Sequence, residues 1–206
     1  MNKEKQLAAL EQKLIEDTSL PLREANLVFG EGNVDSDVLF IGEAPGVRED
    51  ELRRPFVGRS GQLLDKLIVM VGWKREDIYI TNIVKRRPPE NRDPLPEEIN
   101  AYKPYLTKQI AILEPKIIAP LGRFSMNFFL PNAKISRDQG KLFRVGNLFI
   151  YPLFHPAAAL RGTGTMQLLT DAFKKLPTAL IKRDEIAKQV ITAVPIGENR
   201  EQSPLF

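Results

Sequence analysis

Three short apolar runs, separated by segments with helical spacing, limit the fold more than any other feature of this sequence. The runs are DVLFIG at 37–42, DIYITN at 77–82 and KIIAPLG at 116–122. Residues 61–71 and 95–114 lie between them and repeat their apolar side chains at helical spacing. Because strands that alternate with helices pair in parallel and are covered on both faces, this order predicts an α/β domain.

Further segments complete the predicted elements. We predict a surface helix at 3–16, a helix opening in GRFSMNFFL at 122–130, two strands around a Gly-Asn turn in KLFRVGNLFIYPLF at 141–154, and a helix at 166–176 that ends before Pro177. Ser60 and Gly72 flank the first long helix as its N-cap and C-terminal glycine. Pro104 is expected to bend the second long helix.

Length and composition exclude several classes of protein. A chain of 206 residues with 43% apolar content can bury one core, so we expect a single domain over 1–194 and a flexible tail over 195–206. The absence of cysteine excludes disulfides and Cys-ligated metal sites, and one histidine cannot build a His-rich site. The charged N-terminus and the lack of a long apolar stretch predict a cytoplasmic protein.

Polar segments follow the predicted strands at their carboxyl ends, where open parallel sheets bind their ligands. GEAPG at 42–46 follows the first strand, Asn82 ends the second, and FHPAAALRG at 154–162 follows the last. Each has an ordinary alternative, because an Asn at a strand end is commonly a turn residue and His155 alone fits a structural histidine. They are candidates for a binding site because all three are expected to lie at the same edge of the sheet.

The order and spacing of five motifs resemble family 4 of the uracil-DNA glycosylase superfamily. The motifs are GEAPG, RPFVGRSGQLLD, YITNIVKRRPPENRDPLPEEI, IIAPLG and FHPAAALR, within a resemblance that runs from Phe29 to Leu180. It implies a three-layer α/β/α sandwich around a mostly parallel four-stranded sheet. It also implies a monomeric enzyme that flips uracil out of DNA and hydrolyses its N-glycosidic bond, leaving an abasic site.

The resemblance assigns roles to three side chains. Asn82 matches the asparagine that reads uracil, because a carboxamide can donate to O4 while accepting from N3–H. Phe56 matches the aromatic residue that stacks on the flipped base, although it could be an ordinary core residue. His155 matches the histidine that donates to O2 as charge grows on the departing base.

The first motif leaves the group that holds the hydrolytic water open. A related family carries Asp at the place of Ala44, and Ala44 cannot supply that carboxylate. We favour Glu43 for the water, with Glu49 or a backbone carbonyl as alternatives. Glu49 is also a candidate for the residue that keeps thymine's methyl group out of the space beside uracil C5, because Gly46 has no side chain to do so. The alternative is that Glu49 is a solvated loop acid. Gly42, Ala44 and Gly46 complete the predicted base-binding segment.

DNA contacts are predicted from the loop after His155 and from the basic run after Asn82. Leu160 or Arg161 would fill the space that the flipped nucleotide leaves in the duplex. The predicted phosphate contacts are Arg59, Lys85, Arg86, Arg87 and Arg92. A run of charges is more often a solvated surface, and the adjacency to Asn82 favours DNA.

This chain departs from the family in its cluster ligands. Family 4 members usually hold a [4Fe–4S] cluster on four cysteines, and the matching places here are Arg86, Tyr102 and two within Asp17 to Leu22. No cluster can form by that ligation, so we expect no cofactor. Packing by Leu20, Leu22 and Tyr102 is expected to take over the structural role.

The C-terminal tail resembles a partner-binding peptide. Gln202-Ser203-Pro204-Leu205-Phe206 is similar to the pentapeptide with which bacterial repair proteins bind the sliding clamp, through Gln202, Leu205 and Phe206. A tail folded on its own domain and a chance match are the alternatives. For the whole chain, the alternatives to a uracil glycosylase are a non-catalytic binder of damaged DNA and a glycosylase for hypoxanthine or xanthine.

Overall fold

The computed structural model describes residues 2–191, and the side chains of residues 2–186. It divides into two compact units, the first ending at Pro115 and the second beginning at Lys116. The strands are β1 Glu31–Gly32, β2 Val38–Gly42, β3 Tyr79–Asn82, β4 Ile117–Pro120, β5 Phe143–Val145 and β6 Leu148–Ile150. The helices are α1 Lys3–Glu16, α2 Val47–Leu52, α3 Arg59–Met70, α4 Pro96–Leu113, α5 Arg123–Phe129, α6 Ile135–Asp138, α7 Pro156–Ala159 and α8 Thr163–Ile191.

In the first unit, β2 and β3 pair in parallel, and both are fully buried. Their register places Gly42 opposite Asn82, so the two strands end side by side. The short β1 pairs antiparallel with the other side of β3. A parallel strand buried on both faces reads as a continuous apolar run, which is why DVLFIG predicted β2 from sequence.

In the second unit, β4 pairs in parallel with β6 through Ile118 and Ile150. β5 pairs antiparallel with β6 across a turn at Gly146, which has a φ of 57°. A further parallel bridge joins Leu121 to Leu153, beyond the last residues of β4 and β6. The turn and both strands of this hairpin confirm the interpretation of residues 141–154.

The α/β class and the mostly parallel sheet predicted from sequence are confirmed. Residues 2–191 form six strands, three in each unit, where the resemblance implied four. β1 and β5 account for the larger number, and both are short strands that pair antiparallel with a neighbour. Two or three residues of strand carry too little alternation to specify a sheet register from sequence.

The predicted N-terminal helix is confirmed as α1, and it packs against α4. Leu7, Leu10 and Leu14 are its buried face, and each fully buried leucine contributes about 1.5–3 kcal/mol. Lys3 Nζ donates to the Leu113 carbonyl at the end of α4, 2.9 Å away. This bond satisfies one of the carbonyls that a helix C-terminus leaves unpaired.

The predicted boundaries of two helices are wrong. Gly58, and not Ser60, is the N-cap of α3, and a glycine has no side chain with which to cap the helix. The helix predicted to stop before Pro177 continues through it as α8. Leu169, Phe173 and Ala179 on that helix are buried, so an apolar face extends past the proline. That packing offsets the backbone hydrogen bond that proline removes.

Within residues 2–191, no helix combines the length and the apolar composition needed to cross a membrane.

Candidate active site

The ends of β2 and β3 bring three predicted site residues of the first unit together. A Cβ atom added to Gly42 would lie 2.3 Å from Asn82 Oδ1 and 2.6 Å from Cε2 and Cζ of Phe56. Gly42 is therefore packed against both the carboxamide and the aromatic ring, and no larger residue fits without moving one of them. The predicted grouping of Gly42, Phe56 and Asn82 is present in the fold.

The Asn82 carboxamide is buried with an unsatisfied oxygen. The residue is 1% exposed, and Oδ1 accepts no hydrogen bond from the part of the chain that the structure describes. A buried acceptor without a partner is costly, typically about 1–3 kcal/mol, and native proteins retain such groups mainly where function uses them. A ligand N–H at this point would satisfy the atom.

The ring of Phe56 is held by an unusual backbone. Phe56 has a φ of 50°, in the left-handed region that costs a non-glycine residue roughly 1–2 kcal/mol. Glu49 Oε1 accepts from the backbone N–H groups of Val57 and Gly58, at 2.9 and 2.7 Å. These bonds stabilise the segment after Phe56 and satisfy N–H groups where α3 begins.

The contacts of Glu49 bear on the open question about the first motif. Glu49 is 9% exposed, and its Oε1 is engaged by two backbone donors, so it is not a solvated loop acid. Its Oε2 lies beside Gly46, where an added Cβ would be 2.9 Å away. Glu43 and Ala44 are half-buried after β2, and the Glu43 carbonyl accepts from Val84 N–H at 3.0 Å.

Sequence reasoning missed Arg75, whose guanidinium donates to the carbonyl of Phe56 at 3.1 Å. Arg75 precedes β3 and lies 19 residues from Phe56. No local motif marks it, because an arginine in a charged connection usually reads as solvated surface.

The prediction that Lys85 contacts phosphates is corrected by the structure. Lys85 is fully buried, and its Nζ donates to Thr81 Oγ1 at 2.5 Å and to Gln109 Oε1 at 2.6 Å. Burial lowers the pKa of Lys85 well below its ordinary value. Thr81 in turn donates to the Phe29 carbonyl at 2.7 Å. Lys85 therefore braces the end of β3 from inside the core.

The other predicted phosphate contacts fall into two groups. Arg59 is exposed at the first residue of α3. Arg92 donates to both oxygens of Glu98 at 2.6 and 2.9 Å, and Arg87 is half-buried and donates to Asn91 at 2.7 Å. Arg92 is also exposed, but its guanidinium is engaged by Glu98, so Arg59 best fits a phosphate partner.

In the second unit, His155 caps the short helix α7. Its Nδ1 accepts from the N–H of Ala157 at 3.1 Å. In a neutral imidazole, an accepting Nδ1 leaves the proton on Nε2, which makes Nε2 the donor. Gly122, with a φ of 90°, packs beside the ring, where an added Cβ would lie 3.0 Å from the Cβ of His155.

The predicted wedge residues follow α7 directly. Leu160 is 42% exposed and Arg161 is exposed. A large exposed apolar side chain beside a cation suits a surface that receives a partner.

The places that match the family's cluster ligands do not fit an iron–sulfur cluster. Arg86 is buried rather than on the surface, which also removes it from the predicted phosphate contacts, and its Nη1 donates to the Ala25 carbonyl. The hydroxyl of Tyr102 donates to the Pro21 carbonyl at 2.7 Å. Burial raises the pKa of Tyr102 to about 12, against the opposing effect of Arg86 beside it. Neither side chain is a thiolate, and the chain has no cysteine.

Comparison with known proteins identifies the family. The Uracil DNA glycosylase superfamily matches residues 29–178 of this chain. The Type-4 uracil-DNA glycosylase of Saccharolobus solfataricus is 44% identical over 165 residues, 75% of this chain and 76% of the relative. That of Thermotoga maritima is 44% identical over 145 residues, 69% and 76% of the two chains, and that of Archaeoglobus fulgidus is 40% identical over 162 residues, 74% and 81%. The chain belongs to the uracil-DNA glycosylase superfamily.

Gly42→Ala is expected to lower any activity at this site at least tenfold. The new methyl group would lie 2.3 Å from Asn82 Oδ1, so either the carboxamide or the Phe56 ring must move. A displacement of about 1 Å at a positioning group can cost up to 100-fold in rate. The measurement is the single-turnover rate of base excision.

The control for this change is Gly164→Ala. Gly164 has nothing within 4 Å of an added Cβ, so its alanine variant should match the unmodified protein. Full activity in Gly42→Ala would show that the packing around Gly42 is not part of the site.

Proposed function

We propose that this protein is a uracil-DNA glycosylase that flips uracil out of DNA and hydrolyses its N-glycosidic bond. The observation that carries the proposal is the buried, unsatisfied Oδ1 of Asn82 next to the ring of Phe56. The relatives named above are Type-4 uracil-DNA glycosylases, which supports uracil over hypoxanthine or xanthine as the base.

Asn82 selects the base by its donor and acceptor pattern. Its Oδ1 accepts from N3–H of uracil, and its amide N–H donates to O4. Cytosine presents an acceptor at N3 and an amino group at C4, so the same carboxamide meets the wrong partner at both positions. A site built on such hydrogen bonds rejects a mismatched partner far more strongly than an apolar pocket does. Phe56 supplies the face on which the flipped ring stacks.

His155 and Glu43 act on the bond that breaks. As the glycosidic bond lengthens, its electron pair moves to the base, and the Nε2–H of His155 donates to O2, where negative charge accumulates. Glu43 orients the water that adds to the sugar, because Ala44 offers no carboxylate. The products are free uracil and an abasic site, with the water's elements divided between them.

DNA is held by exposed cations and by the loop after α7. Arg59 contacts phosphates, and Leu160 or Arg161 enters the space left by the flipped nucleotide. Arg87 and Arg92 are secondary candidates because each already has a side-chain partner.

The salt dependence of DNA binding tests these assignments. In a plot of the logarithm of DNA affinity against the logarithm of salt concentration, the slope should become shallower by about one for Arg59→Gln and stay unchanged for Lys85→Met. A shallower slope for Lys85→Met would contradict its internal role.

The enzyme works without an iron–sulfur cluster. Direct hydrogen bonds replace the metal's role of tying the N-terminal segment to the chain after β3 and to α4. Arg86 bonds to the Ala25 carbonyl, and Tyr102 bonds to the Pro21 carbonyl. Leu20 and Tyr102 are buried there, while Leu22 is half-buried.

The decisive experiment is an excision assay with the purified protein. We expect cleavage of a duplex with a U·G pair after abasic-site treatment, in a colourless sample free of stoichiometric iron. Parallel oligonucleotides carry hypoxanthine or xanthine, in single and double strands. Binding to uracil-containing DNA without excision would instead favour the non-catalytic alternative, and stronger cleavage of another lesion would favour the altered specificity.

The C-terminal pentapeptide and the tail from 195 to 206 lie outside the described residues. We propose that Gln202, Leu205 and Phe206 bind the sliding clamp of the source organism, and that the enzyme acts as a cytoplasmic monomer.

A fluorescent peptide of residues 198–206 should bind the clamp with micromolar affinity, about 8 kcal/mol. Replacing Leu205 and Phe206 by Ala should abolish this binding and leave excision unchanged. No binding by the unsubstituted peptide would rule the clamp out, and equal binding by the substituted peptide would rule out Leu205 and Phe206 as its anchor.

A further inference from the structure

The guanidinium of Arg75 is fully used, although the residue lies in a charged connection before β3. Its side chain is 20% exposed. Nη1 donates to the Phe56 carbonyl at 3.1 Å and to Asp65 Oδ1 at 2.6 Å. Nη2 donates to the Pro55 carbonyl at 2.6 Å and to Glu31 Oε1 at 2.9 Å, and Nε donates to that oxygen at 3.3 Å. All five N–H donors of an arginine are thereby engaged.

Two opposite charges hold the segment that carries Phe56. Arg75 binds the carbonyls of residues 55 and 56, and Glu49 binds the N–H groups of residues 57 and 58. Gly61 lies against the Phe56 carbonyl, where an added Cβ would be 1.9 Å from the carbonyl oxygen. The left-handed backbone of Phe56 is thus held by bonds on both sides and by the start of α3.

We propose that Arg75 is a positioning residue for base excision, acting through Phe56. By fixing the Phe56 backbone, it holds the ring against Gly42 and beside Asn82, where a flipped base would stack on it. Arg75 does not touch the base in this proposal. The inference rests on the proposed function, because the effect of Arg75 is measured as a rate of uracil excision, for which Phe56 is proposed to stack on the base.

Arg54 offers a matched control. It donates to the same Glu31 carboxylate at 2.7 and 3.0 Å, on a side chain that is 57% exposed. Burial tends to raise the pKa of Glu31, but the hydrogen bonds from Arg54 and Arg75 hold this pKa below its ordinary value. Replacing either arginine removes one cation from the same carboxylate. The difference between the two variants reports the carbonyl contacts of Arg75 together with its ion pair with Asp65.

The experiment compares Arg75→Met, Arg54→Met, Phe56→Ala and the double variant Arg75→Met/Phe56→Ala in the full chain. The readouts are the single-turnover excision rate, the affinity for an undamaged duplex and its salt dependence. We expect Arg75→Met to lower the rate by about tenfold to 100-fold and Arg54→Met by less than about twofold. The salt slope should be the same in both, because neither arginine is proposed to bind phosphate.

The double variant is the critical measurement. If Arg75 acts through Phe56, the double variant excises uracil at the rate of Phe56→Ala within about twofold. The inference would be overturned if the fold-losses in rate of Arg75→Met and Phe56→Ala multiplied in the double variant. Equal losses in Arg75→Met and Arg54→Met would also overturn it. Arg75→Lys replaces Arg75→Met in the same cycle if the latter does not fold. An unmodified protein that fails to excise uracil would refute the proposed function instead, which keeps the two tests separate.

Discussion

Asn82→Asp is expected to lower uracil excision by about 10³-fold or more, the size of loss typical when a buried hydrogen-bonding site meets the wrong partner. The carboxylate would have two acceptors facing uracil O4 and N3–H, so one of the two hydrogen bonds is lost and O4 is repelled. At a position that is 1% exposed, burial also raises the pKa of the new carboxyl and favours its neutral form. That form can donate where asparagine accepts, so some cytosine excision should appear.

The measurement is single-turnover excision from matched duplexes that carry uracil or an unpaired cytosine at the same position. Asn33→Asp is the control, because Asn33 is exposed and its Oδ1 accepts from the N–H of Asp35, a role that a carboxylate can keep. Uracil excision at the unmodified rate in Asn82→Asp would remove this residue from base reading.

His155→Ala is expected to lower the single-turnover rate by about 100-fold to 1,000-fold, the typical cost of losing one donor to a developing oxyanion. The affinity for uracil-containing DNA should change much less, because the bond to O2 strengthens as charge develops in the transition state. A loss confined to affinity would contradict this role.

Two variants separate the chemistry of His155 from its structural role. His155 also caps α7, because its Nδ1 accepts from Ala157 N–H, and loss of a cap costs about 1 kcal/mol. Asparagine is among the best capping residues, so His155→Asn should recover the stability that His155→Ala loses. Its excision rate should stay low, because the donor at Nε2 is still missing. Recovery of both properties in His155→Asn would show that the cap, and not the donor, matters.

The parts of this fold that sequence predicted are those with a long or repeated signal. β2, β3 and β4 were predicted because strands buried on both faces are continuous apolar runs, and α1 because three leucines recur on one side of a polar helix. Asn82 was singled out because it ends a strand, and parallel strands bring their carboxyl ends to one edge. The α/β class and the family followed from this order and from the motifs.

Short elements and boundaries were beyond that reach. β1 and α7 span too few residues for a periodic pattern. The start of α3 was misplaced because the N–H groups there are satisfied by Glu49, which lies in an earlier helix and not at the cap position. The length of α8 depended on burial beyond Pro177, which outweighs a local helix breaker.

Charge is where sequence and tertiary structure diverge most in this protein. From sequence, residues 85–87 are one basic run beside the asparagine that we propose reads the base, and one surface role for all of them was the natural interpretation. The structure separates neighbours that the sequence cannot, because burial depends on which distant groups supply partners. Lys85 is inside the core with Thr81 and Gln109, and Arg86 reaches the Ala25 carbonyl.

Sequence alone was enough to predict the family, the absence of cysteine ligands and the residues proposed to read a base, because these depend on residue identity and order. The contacts of Lys85, Glu49 and Arg75 were revealed only by the tertiary structure. A buried charged or polar group is stable only where hydrogen bonds from other parts of the chain compensate its lost hydration. Those partners lie up to 44 residues away, as in the pair of Arg75 with Glu31, and no local pattern in the sequence encodes them.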